Sequence, residues 1–95
     1  MTVWHKIDWE DIPSREEFEQ GTIGLLLNGE TNTDRMRDSI RRTRKLILNR
    51  PSGRWNSSPS DKFVNEHAWV IESLITRGII ERIKPKEYRL KRDPR

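Results

Sequence analysis

The chain of 95 residues has no cysteine. That removes disulfides, thiolate metal sites and a cysteine nucleophile together, and with them the covalent staples of small secreted domains. Histidine is nearly absent, with His5 and His67 far apart in sequence and neither beside an obvious nucleophile. No Gly-rich phosphate loop, H-E-x-x-H pair or carboxylate-spaced calcium loop is found. Catalytic residues, metals and cofactors are therefore not expected. Apolar runs such as Leu25–Leu27 fall far short of the roughly 20 residues of a membrane span, and the opening residues lack the apolar stretch of a signal peptide. The expectation is a soluble protein in a reducing, cytoplasmic compartment, with no membrane contact.

What the chain does have is charge, with 19 basic and 15 acidic residues and a net charge of +4. Leu, Ile, Val and Phe number 22 of 95, just above the level of about 20% at which disorder becomes the better guess. Together with the low net charge this favours one small folded domain covering 1–95. The charge is unevenly spread. Residues 1–33 carry 2 basic and 7 acidic side chains, residues 34–57 carry 8 and 2, residues 58–77 carry 2 and 3, and residues 78–95 carry 7 and 3. Exposed charges more than a Debye length apart, roughly 10 Å, barely interact. The two basic segments therefore form one surface only if the fold joins them.

Val3, His5, Ile7 and Trp9 alternate with polar neighbours, which suits a short strand or an extended arm over residues 1–13. Ser14 and Glu17 form a capping-box pattern that starts a first helix. Gly21 and Gly24 weaken that helix, so Thr22–Leu27 reads as its continuation or as a separate strand or turn, ended by Asn28-Gly29. Thr31, Asn32 and Thr33 offer N-caps for a second helix. Met36, Ile40, Thr43 and Ile47 form one stripe along it, and Pro51 with Gly53 stops it after Arg50. Ser58-Pro59-Ser60-Asp61 starts a third helix with buried stripe Phe63, His67, Val70, Ile71, Leu74 and Ile75, and Gly78 ends it. His67 on that stripe reads as a hydrogen-bonded core histidine. Ile79–Ile83 and Tyr88–Leu90 read as a hairpin turned at Lys84-Pro85-Lys86-Glu87, followed by a basic tail over 92–95. The expected fold class is α+β, mainly helical, with three helices before a C-terminal β-hairpin.

The run from Leu74 through Gly78-Ile79-Ile80 to Ile83, followed by Tyr88-Arg89-Leu90, resembles the end of a winged helix-turn-helix domain over roughly residues 58–91. The resemblance implies a third helix in the major groove of double-stranded DNA, a wing on the adjacent backbone or minor groove, and a dimeric protein. Three departures stand against it: the 51–57 loop is long for a helix-turn-helix, the second helix is longer than a typical positioning helix, and the third helix carries net negative charge.

Phosphate neutralisation by Lys and Arg supplies much of the affinity for nucleic acid. The second helix and wing offer Arg35, Arg41, Arg42, Lys45, Arg50, Lys84, Lys86, Arg89, Lys91 and Arg92 for that purpose. On the outward arc of the third helix, Lys62 and Asn65 have the chemistry to read base edges, whereas Glu66 and Glu72 repel phosphates. The competing view makes the second helix a solvated face, with Asp34 and Asp38 pairing at i+3 and i+4. The main expectation is a small transcriptional or phage regulator that binds DNA. The alternative is a protein-contact module, an adaptor or inhibitor, using the acidic first third through Glu16, Glu17 and Glu19, or using Trp69 if that ring is exposed. The favoured packing for Trp69 is burial under the Val3–Trp9 segment. Trp55, in the 51–57 loop, either covers the core or meets a partner.

Overall fold

The computed structural model describes residues 3–50, 54 and 57–91. Trp55, the Pro51 and Gly53 stop signals and the 92–95 tail lie outside the described residues. Three helices are followed by an antiparallel strand pair, giving an α+β fold.

Strand β1 is His5–Lys6, and helix α1 runs over Arg15–Leu27. The α1 capping box is formed, with the Ser14 hydroxyl accepting from the Glu17 N–H and the Glu17 carboxylate accepting from the Ser14 N–H, both at 3.1 Å. The helix passes unbroken through Gly21 and Gly24, which decides for continuation and against a separate strand or turn. Tertiary packing outweighs the local cost of the glycines. Phe18, Thr22 and Leu26 are buried on one face. Gly21 faces Ile40 of the next helix so closely that a β-carbon would lie 3.4 Å from the Ile40 side chain. Beyond Asn28, Gly29 takes φ of 94°. The N–H groups of Gly29 and Glu30 close on the Leu26 and Leu25 carbonyls at 3.0 and 2.9 Å, satisfying carbonyls that the helix itself leaves orphaned.

Helix α2 spans Thr33–Thr43, with Asn32 as its N-cap and Met36 and Ile40 buried. Its C-terminal boundary corrects the sequence expectation of a helix to Arg50. Lys45 adopts φ of 55°, and Leu46–Ile47 form strand β2, parallel to β1 with His5 opposite Leu46 and Lys6 opposite Ile47. The cause is tertiary. Leu46 is buried while Ile47 and Thr43 are exposed. Burying Leu46 and pairing the N-terminal arm outweigh continuing a stripe that would have left Leu46 off the core face.

Helix α3, Pro59–Thr76, starts as expected, with Ser58 accepting from the Asp61 N–H at 3.2 Å and Pro59 in the first turn. It ends at Arg77, after which Gly78 takes φ of 74°. Here the Gly78 and Ile79 N–H groups donate to the Ile75 and Leu74 carbonyls. Strands β3 (Ile80–Lys84) and β4 (Glu87–Leu90) then form the hairpin, with a bulge between Arg82 and Lys84. Pro85 precedes Lys86 at φ of 64°, the combination a type II turn requires.

The core lies where α1 and α3 cross. Phe18 meets Phe63 edge to face at 5.1 Å, and Met36, Leu46, Leu74 and Ile80 close around them, all almost fully buried. Two substitutions separate the roles of the glycines. A β-carbon at Gly24 meets nothing within 4 Å, so Gly24→Ala should raise stability to urea by about 1 kcal/mol. Gly78→Ala, forced into a left-handed conformation, should lower it by about 1 kcal/mol. Equal signs for the two would contradict these helix boundaries.

Candidate nucleic-acid interface

The connection between α1 and α2 is tied to the hairpin. The Thr33 N–H donates to the Lys86 carbonyl and the Tyr88 N–H to the Thr31 carbonyl, both at 2.9 Å, and Asn32 bridges antiparallel to Glu87. Side chains add to the joint. The Thr31 hydroxyl donates to Glu87 at 2.9 Å, and Lys86 Nζ lies 3.3 Å from Asp34. The Thr31 hydroxyl and the Lys84 ammonium, 3.1 Å from Glu87, hold the Glu87 carboxyl below its usual range. The start of α2 and the tip of the hairpin thus sit together, and Arg35 acts on Glu87, the carboxylate that also pairs with Lys84. The hairpin itself carries Arg82, Lys84, Lys86, Arg89 and Lys91 against two carboxylates of its own, Glu81 and Glu87.

These cations are exposed and loosely held. Lys84 and Lys86 have about two-thirds of their side-chain surface exposed, and Arg89 pairs with Glu81 at 2.5 Å with similar exposure. Arg35 and Lys91 form no ion pair among the described residues. Exposed pairs of this kind contribute about 0.2–1 kcal/mol, so exchanging the carboxylate for a phosphate costs little.

The remaining candidates lie elsewhere. Arg41 is a strut: its guanidinium grips Asp38 and donates to the Leu46 carbonyl at 2.8 Å, fastening the end of α2 to β2. Arg42 shares the same Asp38 at 2.9 Å, and the Arg41 hydrogen bonds pull the Asp38 carboxyl below its usual range. The local pairing of Asp34 and Asp38 foreseen for a solvated helix is therefore real, with Arg37 on Asp34 at 2.8 Å. Lys45 occupies the left-handed turn before β2, and Arg50 lies in the connector beyond β2. Lys62 and Asn65 are half-buried near the start of α3. That start is packed against the connector, where Ser60 accepts from the Asn49 N–H at 2.8 Å and Asp61 is buried beneath Ser57 and Ser58.

Trp69 requires a correction. It does not pack under the N-terminal segment, which is engaged with β2 instead. The residue is 46% exposed, and Arg15 of α1 lies over its ring at 3.7 Å. Trp4 and Trp9 are also exposed, Trp4 within 5.6 Å of the Arg41 guanidinium. The acidic helix start is largely engaged. Glu17 caps α1 and pairs with Arg44 at 2.6 Å, which hold its carboxyl down at about 2, while Glu19 pairs with Arg77.

Two pairings involving the histidines went unread in the sequence. His5 Nε2 lies 3.1 Å from Asp11, and the Val3 carbonyl and Asp11 raise the imidazole above its ordinary value. His67 is buried as expected, with Nε2 3.4 Å from the Thr22 hydroxyl. Among the described residues no cluster of His, Cys, Asp or Glu is arranged to hold a metal.

Comparison with protein-family models, with curated proteins and with solved structures gives no match.

Burial pushes the His67 imidazole down to about 4, so the folded state prefers it neutral while the unfolded chain takes up a proton near pH 6.5. Its contribution is fully present above pH 6.5 and is lost as pH falls toward 4; raised His5 acts with the opposite sign. Between pH 6.5 and 5 the wild type should lose about 1.5 kcal/mol relative to His67→Gln in urea titrations. Parallel stability profiles for the two proteins would contradict a neutral buried imidazole.

Proposed function

We propose that this chain is a winged-helix-type module that binds double-stranded DNA, with the β3–β4 hairpin as wing and the first turns of α2 as its partner on the phosphate backbone. The observation that carries the reading is the backbone pairing of residues 31–33 with 86–88. It supplies a third strand rung beside the hairpin and joins the two basic segments that the sequence keeps apart. A regulator of transcription, of bacterial or phage type, is the use such a module would serve.

The balance of contacts differs from the one expected from the sequence. With Arg41 committed to Asp38 and the Leu46 carbonyl, and the start of α3 held against the connector, the wing and Arg35 carry the binding and α3 contributes little base reading. Phosphate contacts fix position without carrying sequence information, so this arrangement favours affinity over sequence selectivity.

Binding to a labelled generic duplex, followed by fluorescence anisotropy, should weaken linearly in log–log form between about 50 and 200 mM salt. Lys84→Ala with Lys86→Ala should lower the salt slope by about two, whereas Asn65→Ala should leave affinity and slope nearly unchanged. The reading fails if no complex forms at the lowest salt, or if removing both lysines leaves the slope as it was.

A further inference from the structure

The exposed face shared by α1 and α3 is not used by the DNA reading, and its chemistry is of the opposite kind. Trp69 lies midway along α3 with nearly half its surface open. One side of the ring is covered by the Arg15 guanidinium at 3.7 Å, held in turn by Glu66 at 2.8 Å. This is the arrangement that attracts a planar cation: an aromatic face with a carboxylate at its edge. A second guanidinium–carboxylate pair, Arg77 with Glu19, stands alongside.

Between the helices lies a depression of about 240 Å³ whose lining includes Trp69, Val70 and Ser73 together with Arg15, Glu16, Glu19 and Arg77. That is smaller than the roughly 300–1,000 Å³ of a small-molecule site and suits a single inserted side chain. The face is not neutral. Glu16, Glu19, Glu66 and Glu72 outnumber Arg15 and Arg77, and Glu16 and Glu72 form no ion pair among the described residues. An exposed tryptophan ringed by polar groups is the usual anchor of a protein interface, and the excess of carboxylates selects the charge of what meets it.

We propose that the α1–α3 face docks a basic segment of a partner protein, one arginine or lysine of that segment lying beside Trp69 and its neighbours against Glu16 and Glu72. Nucleic acid is repelled from the same surface. The proposal stands independently of the DNA reading, because it uses none of the wing residues.

The test is a two-dimensional ¹⁵N NMR titration of the full chain, following the Trp69 indole N–H. The probes are a short amidated peptide of alternating Arg and Leu, its counterpart with Glu for Arg, and a generic DNA duplex. The basic peptide should shift the Trp69 indole signal saturably, and the acidic peptide and duplex should leave it in place. In Glu16→Lys with Glu72→Lys, affinity for the basic peptide should fall at least about fivefold, from losing two exposed ion pairs and setting like charges in their place. Should that variant fold poorly, Glu16→Gln with Glu72→Gln should give a smaller loss in the same direction. An indole unmoved by the basic peptide, moved instead by the duplex or the acidic peptide, or peptide affinity indifferent to both sets of changes, would overturn the proposal. A failure of duplex binding at the wing would leave these outcomes untouched.

Discussion

Between α1 and α2 the backbone of Thr31–Thr33 exchanges two hydrogen bonds with Lys86 and Tyr88, and the arrangement of charge on the molecule follows from that exchange. A two-stranded hairpin is marginal by itself in water. Here it gains a third rung from a segment more than fifty residues away, reinforced by Thr31 on Glu87 and Lys86 on Asp34. The same joint fixes where α2 begins, because Asn32 serves both as its N-cap and as the bridge to Glu87. Without this pairing, the basic hairpin and the basic start of α2 would be separate patches.

The joint also changes the meaning of the charge distribution. Charges from different segments pair across helix contacts: Glu17 takes Arg44, Glu19 takes Arg77 and Glu66 takes Arg15. Asp38 takes two arginines by itself. Beyond these pairings, exposed Arg35, Lys84, Lys86, Arg89 and Lys91 lie on the hairpin and at the start of α2, while exposed Glu72 stands one turn from Trp69 and Glu16 lines the depression beside it. The modest total of +4 is therefore a sum over two faces of unlike character.

Much of this architecture was legible because its signals are local. Ser14 with Glu17, Ser58 with Pro59, Gly78 and the Pro85 turn each fix a boundary through groups within a few residues of one another, and each boundary stands as read. The end of α2 was not legible, because Leu46 leaves the helix to pair with an arm forty residues earlier, and a helical stripe that runs on to Ile47 gives no hint of that competition. Burial of Leu46, exposure of Ile47 and partial burial of Leu48 form a period of two that the 46–48 apolar run masks. The site divides in the same way. The hairpin lysines could be placed from the turn sequence alone, whereas the inward use of Arg41 and the stacking of Arg15 on Trp69 depend on contacts that only the folded chain creates.

The central claim is that the wing and the start of α2 form one duplex-binding face. Backbone amide shifts on adding a generic DNA duplex to the ¹⁵N-labelled chain address it most directly. The account predicts that the largest changes fall in residues 33–38 and 82–91 and weaken together as salt is raised. Changes concentrated along residues 65–76 of α3, or no changes at low salt, would contradict it.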